Sequence, residues 1–367
     1  MSNPAPLENE IRRLIAVTGP MPIARYMQLC LTHPKYGYYI TRDPFGTQGD
    51  FTTAPEVSQI FGELLGLWAL SVWRMMDQPE TVRLIELGPG RGTMMRDALR
   101  AAKVLPAFRK ALSIHMVEIS PTLEQLQRST LSDVDAPLFW HRSLLDVPES
   151  GGTIILANEY VDALPVHQMM RQSGGWHERV IGLDANGAFR LGLSPDPVPQ
   201  FDRFMPARIK QAPVGSIFEW RNDLHVLDIA RWVRDRGAAL IIDYGHAESG
   251  IGETLQSVNE HAFADPLSAP GLADITAHVD FEIFGQAAES MGAMVQGPVT
   301  QGRFLSELGI EARAEALRKG ASGEQAANIT AAVARLTESG RTGMGDLFKV
   351  MAICDPKLGP LPGLQPT

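Results

Sequence analysis

Two short stretches hold the residues whose types and spacing could do chemistry. The first is "IELGPGRG", in which Glu86, Gly88, Gly90 and Gly92 fit E-x-G-x-G-x-G, with Pro89 between the first two glycines. Glycine removes the Cβ, so a ligand can lie against the backbone and the turn can visit positive φ. A helix starting after the turn offers its free N–H groups to a ligand. The dinucleotide fingerprint G-x-G-x-x-G would need a glycine at position 93, where the chain has Thr93. The spacing instead suits S-adenosyl-L-methionine, which brings no phosphates. The second stretch is "TIILANEYVDALPVHQ", where an apolar run ends in Asn158 and Glu159, with Asp162 three residues on. Acids placed there are either solvated or hold something cationic.

Elements of regular alternation must position these residues. "TVRLIEL", "LSIHMVEIS", a short stretch of "PLFWHRSLLDVP", "GTIILANE" and "AALIIDYG" read as strands, with helices between them. This strand–helix rhythm predicts an α/β fold with a doubly wound parallel sheet. In open sheets of this kind ligands sit beyond the carboxyl ends of the strands. Glu118, which ends the second strand, can there accept hydrogen bonds from both ribose hydroxyls. Asp146, after the third strand, is placed either to meet the adenine edge or to cap a turn. Asp243 and Tyr244 end the fifth strand and face the crevice or pack in the core. "DITAHVDF" reads as a loop carrying Asp274, Thr276 and His278; His278 could bind substrate, take up a proton, or be an ordinary loop histidine. "GDFTTAPE", with Asp50, Thr52 and Thr53, reads as a lid over the cofactor, while Thr53 or Ser58 also suits a helix start.

The chain divides accordingly. Residues 1–79 read as a helical N-terminal region and cofactor lid. Residues 80–165 and 223–355 read as the Rossmann-like domain, interrupted at 166–222 by an antiparallel β-meander that could cover a substrate. Residues 356–367 read as a flexible tail. Bulk properties narrow the function: 367 residues with 44% hydrophobic and 20% charged residues describe a globular protein, and a net charge of −9 argues against tracking nucleic-acid phosphates. No apolar run reaches about 18 residues, so no membrane insertion is expected. Cys30 and Cys354 form no disulfide framework, and the nine histidines show no ligand spacing, so no metal is implied.

Four segments together, "GDFTTAPEVSQIFGELLG", "IELGPGRGTMMRDALR", "LANEYVDALPVHQ" and "GLADITAHVDF", resemble the MidA-type proteins. This is a family of S-adenosylmethionine-dependent methyltransferases that includes the mitochondrial complex I assembly factor. The resemblance implies a seven-stranded Rossmann-like methyltransferase sheet. It also implies symmetric dimethylation of arginine on a respiratory complex I subunit as the protein substrate, with homodimerisation left open. The mitochondrial members carry a transit peptide and this N-terminus shows none, so a cytoplasmic bacterial version is expected. In that light Glu159 and Asp162 become a guanidinium clamp. A guanidinium is always charged and a poor nucleophile, and carboxylates can fix its orientation. Asn158 would hold the amino-acid end of the cofactor. The competing reading, a helix N-cap with acids in its first turn, stays open. So do two other functions: a non-catalytic assembly chaperone docking clients through the meander, and a small-molecule O-methyltransferase using His278 as base.

Overall fold

Apolar, β-rich segments bounded by turn residues form strands buried on both faces, as parallel sheets require. A computed structural model describes residues 5–42, 53–203, 205–259, 262–340 and 343–365. Its central sheet contains β1 (Val82–Leu87), β2 (Leu112–Val117), β3 (Leu138–His141), β4 (Gly152–Asn158), β5 (Gly237–His246), β6 (Met294–Thr300) and β7 (Phe348–Cys354), in the order β6-β7-β5-β4-β1-β2-β3. The five strands β1 to β5 run parallel, and β7 lies antiparallel to both β5 and β6. A two-residue strand, Val279–Asp280, extends the pairing at the end of β5.

Register decides where the site falls. Leu87 of β1 pairs with Val117 of β2 and with Ala157 of β4, while Asn158 pairs with Ile242 of β5. The carboxyl ends of four strands therefore finish level. Gly88, Glu118, Glu159 and Asp243, each the first or second residue past these pairs, emerge along one edge.

Each face of the sheet buries its own core. One is covered by the helices Gln59–Met75 and Thr93–Ala102, with Phe61, Trp68, Met95 and Leu99 fully enclosed. The other is covered by Leu224–Val233 and Phe281–Ser290 through Val226, Ile229 and Phe281. Gly62 and Gly66 let the first pair of helices approach closely: a Cβ at position 66 would lie 2.3 Å from the Ala98 carbonyl oxygen. Alanine is the better helix former by about 1 kcal/mol, but overpacking costs about 1–3 kcal/mol. Gly66→Ala is therefore expected to lower the denaturant midpoint, despite its propensity, in an equilibrium unfolding titration. An unchanged or raised midpoint would show that the helices can part at no cost.

The inserted segment is an antiparallel sheet of Val166–Gln172, Gly175–Leu183, Phe189–Leu193 and Ile217–Arg221, to which the N-terminal residues Met21–Pro22 add a short strand. Leu7, Ile11, Met27, Val166 and Ile181 share one core, so the N-terminal helices pack on this sheet. Two expectations are corrected. The tail at 356–367 is not flexible through its described residues, because Leu358, Leu361 and Leu364 are buried in the main core. Asp274 and Thr276 lie on a strand, Asp274–Thr276, which pairs with Gln256–Asn259, rather than in a loop.

Candidate active site

A cavity of about 350 Å³ opens along the carboxyl edge of β1, β2, β4 and β5. Its cofactor end is built by the glycine turn. Gly88, Gly90 and Gly92 have φ of +62°, +52° and +79°, values that favour glycine. Gly92 sits at the N-terminus of the helix Thr93–Ala102, closed by its N–H donating to the Pro89 carbonyl at 2.8 Å. A Cβ at Gly88 would approach a Tyr160 ring carbon to 3.0 Å, so the turn and the second motif lean on one another.

Glu118 lines the cavity. Its Oε1 accepts from the Ser120 N–H at 2.7 Å, and its Oε2 accepts from the Gln127 amide at 3.0 Å. The same Gln127 amide donates to the Gly90 carbonyl at 2.8 Å, tying Glu118 to the glycine turn. Gln127 carries no motif signal, being one helical residue among several polar ones. Burial raises the Glu118 carboxyl above its usual range, and these donors oppose that. Beneath the turn, Glu86 is buried with Oε2 unpartnered, and burial followed by the Glu118 charge pushes its carboxyl well up. Glu86, Pro89 and Gly92 stand behind the turn and do not line the cavity, while the cradle free of Cβ atoms at Gly88 and Gly90 and the carboxylate of Glu118 fit a cofactor that presents donors and a positive sulfur.

Asp146 departs from its adenine-edge reading. Its side chain is exposed on a one-turn 3-10 helix, Leu144–Asp146, and it is Ser143 and Leu144 that line the cavity. A short turn presents only some of its residues inward, and here the apolar one faces in. Asn158 is buried at the end of β4. Its amide donates to Glu159 Oε1 at 3.2 Å while its Oδ1 has no partner, and it does not line the cavity. Thr53 is buried and lines the cavity, whereas Asp50 and Thr52 lie outside the described residues.

The second motif makes the other end. No helix starts at Glu159: the segment turns and runs directly into the strand Val166–Gln172, which removes the helix-cap reading. The turn is held instead by Asp243. Its Oδ2 accepts from the N–H groups of Val161 and Asp162 at 2.9 and 3.1 Å, and its Oδ1 accepts from the Tyr244 N–H at 3.0 Å. Glu159 takes φ of +50°, uncommon for any residue but glycine, and its N–H donates to the Ile242 carbonyl at 2.9 Å. Its Oε1 accepts from the Ala54 N–H at 3.3 Å. Glu159 and Asp162 both line the cavity, with Tyr39, Tyr160, Tyr244 and Asp274. Burial, then the neighbouring Asp162, pushes Glu159 up to about 8. Burial likewise raises Asp162, against a hydrogen bond from Tyr244 and the charge of Arg221.

Arg221 was not legible as a site residue, because an arginine ending a meander strand looks solvated. Its guanidinium donates to the carbonyls of Leu164, His278, Asp162 and Ala277. It thereby clips the acid turn to the strand that carries Asp274. His278 departs from its assigned role. It lines a separate small cavity with His246 and Glu219, its ring packs edge-on to Tyr244 at 5.5 Å, and burial lowers its imidazole. His278 follows the strand Asp274–Thr276 and falls on the side of the second cavity, not of the crevice. The base required by a small-molecule O-methyltransferase is therefore missing from that position. Among the described residues no group of three His, Cys, Asp or Glu side chains could hold a metal, and no helix is long and apolar enough to cross a membrane.

Sheet order, the glycine turn and the acid at the second strand define an S-adenosyl-L-methionine-dependent methyltransferase of the Rossmann-like class. A family model described as S-adenosyl-L-methionine-dependent methyltransferase matches residues 64–299. The chain is 40% identical over 95% of its length to the protein arginine methyltransferase NDUFAF7 homolog, mitochondrial, of Drosophila melanogaster, covering 84% of that protein. It is 36% identical over 85% of its length to protein arginine methyltransferase NDUFAF7, mitochondrial, of Homo sapiens, covering 75% of it. A Burkholderia thailandensis protein crystallised bound to S-adenosyl-homocysteine superimposes with a TM-score of 0.85 at 29% identity, over 99% of this chain and 97% of the other. The chain belongs to the MidA-type family of S-adenosyl-L-methionine-dependent methyltransferases. One expectation is overturned here: these relatives are named as mitochondrial proteins, against the cytoplasmic placement read from the N-terminal composition. A few residues of leading sequence carry too little physical information to assign a compartment.

Proposed function

We propose that this methyltransferase acts on the guanidinium of a protein arginine, and that its protein substrate is a subunit of respiratory complex I, with symmetric dimethylarginine as the product. The observation that carries the reading is the pair Glu159 and Asp162, enclosed acids lining the same cavity as the glycine turn. The relatives named protein arginine methyltransferases support it. When bound, S-adenosyl-L-methionine supplies an electrophilic methyl on a positive sulfur. Gly88 and Gly90 leave room for it, and Glu118 holds its ribose. Glu159 and Asp162 orient the guanidinium, localise electron density on the attacking nitrogen, and exclude water from it. The donor would give its methyl to that nitrogen and keep the bonding electron pair on sulfur. The proton lost by nitrogen passes to Glu159, whose raised affinity suits that duty at neutral pH.

The cation also explains the titration behaviour expected of the site. With a folded value of about 8 against 4.5 for the free side chain, Glu159 binds a proton in the native state that the unfolded chain releases. Its contribution to stability therefore falls as pH rises between those values. A guanidinium would reverse this by favouring the charged carboxylate. Binding of an arginine-containing peptide to protein saturated with S-adenosyl-homocysteine is accordingly expected to release protons at pH 7. Calorimetry in buffers of different ionisation enthalpy measures this directly. Binding with proton uptake would contradict the clamp, and mass spectrometry of arginine methylation with and without the enzyme tests the substrate.

A further inference from the structure

We propose that Asp274 is a third carboxylate that binds the substrate cation directly, with Tyr39 as the residue that positions it; this rests on the arginine reading of the same cavity. Asp274 is buried on the strand Asp274–Thr276 and lines the cavity with Glu159 and Asp162. The Tyr39 hydroxyl donates to its Oδ1 at 2.9 Å and its Oδ2 at 3.0 Å, and the Ile275 N–H donates to Oδ1 at 2.9 Å. Tyr39 also lines the cavity, and burial followed by the Asp274 charge pushes its hydroxyl well above the usual range, so it remains a donor at any working pH. The carboxylate is thus held in one orientation by a donor brought from the N-terminal helical region, far away in sequence.

Charge balance gives the third acid its task. The loaded cavity holds two cations, the sulfonium and the guanidinium. Asp162 shares its charge with the buried Arg221 and accepts a hydrogen bond from Tyr244. During methyl transfer the guanidinium nitrogen gives its proton to Glu159, which becomes neutral, while the methylated guanidinium remains a cation. Asp274 adds a third carboxylate beside Glu159 and Asp162, which keeps negative charge against the product cation in a water-poor cavity, where an unpaired charge is expensive. The same acid offers the incoming guanidinium a second direction of approach, which a clamp on one turn does not.

The test uses the full chain saturated with S-adenosyl-homocysteine and two probes, ethylguanidinium and ethylammonium, titrated by calorimetry. Wild-type protein is expected to prefer ethylguanidinium. Asp274→Asn is expected to weaken it about 10- to 100-fold, the range for losing a charge-assisted hydrogen bond. Tyr39→Phe is expected to weaken it less, by about fivefold, since the carboxylate stays but loses its orienting donor. Both variants should keep wild-type affinity for S-adenosyl-homocysteine, a split that general loosening of the fold would not produce. Wild-type-like ethylguanidinium binding by Asp274→Asn overturns the inference while leaving the arginine reading intact. A parallel loss of S-adenosyl-homocysteine binding in both variants also overturns it, in favour of a structural role. Wild-type protein that binds neither probe, or prefers ethylammonium, overturns the arginine reading and this inference with it.

Discussion

Glu159→Gln is expected to bind S-adenosyl-L-methionine normally and to lose arginine methylation by a factor of about 10²–10⁴ in kcat/KM. The substitution keeps the size of the side chain and its acceptor toward the Ala54 N–H, so the left-handed turn at position 159 can persist. What it removes is the negative charge. Two charge-assisted hydrogen bonds to a guanidinium, at about 1.5–3 kcal/mol each, account for the range. The amide also cannot accept the proton that nitrogen must shed. The measurement is steady-state kinetics on an arginine peptide, with cofactor affinity from calorimetry. A kcat/KM within about tenfold of wild type would remove Glu159 from the chemistry. A joint loss of cofactor binding would reassign it to holding the cofactor.

Gly90→Val should show the complementary pattern. Gly90 has φ of +52° and lines the cavity with its backbone. A β-branched residue is a steric outlier there, costing about 1–3 kcal/mol in strain. Its two methyl groups would also occupy space that the cofactor needs. The expected result is a dissociation constant for S-adenosyl-homocysteine raised by at least about 10²-fold, with the far-ultraviolet circular dichroism of a folded α/β protein retained. Wild-type affinity would mean that the cofactor does not lie against this turn. Gly90→Ala, which shares the φ penalty with less bulk, separates strain from obstruction.

The division between legible and illegible residues follows sequence separation. The positions of Gly88, Gly90 and Glu118 along the cavity were readable because a strand–turn–helix unit places them locally, and hydrophobic period plus glycine spacing reports that unit; that Glu86 and Gly92 stand behind the cavity was not. Glu159 and Asp162 were readable as a pair of acids past a strand. Their exclusion from a helix was not, since "NEYVDALP" satisfies helix-cap chemistry just as well. The deciding contact is Asp243, on a strand some eighty residues later, whose carboxylate takes the two N–H groups a first helical turn would have left free. Asp146 and His278 were misplaced for a related reason. Each lies in a short irregular segment, and a one-residue difference in a turn there reverses which side chain faces the crevice.

Taken alone, the chain determined its α/β class, the glycine turn with the acid at the end of the second strand, and the family motifs, because each is set by local pattern. Tertiary structure alone decided that Tyr39 and Asp274 line the same cavity, and that Arg221 and Gln127 brace its walls from behind. Their roles arise from hydrogen bonds that close loops of up to 235 residues, as between Tyr39 and Asp274. No local pattern encodes such contacts. The level ending of the parallel strands supplies the edge over which elements distant in sequence bring these side chains together, and burial there is what raises the proton affinity of Glu159 and Asp162.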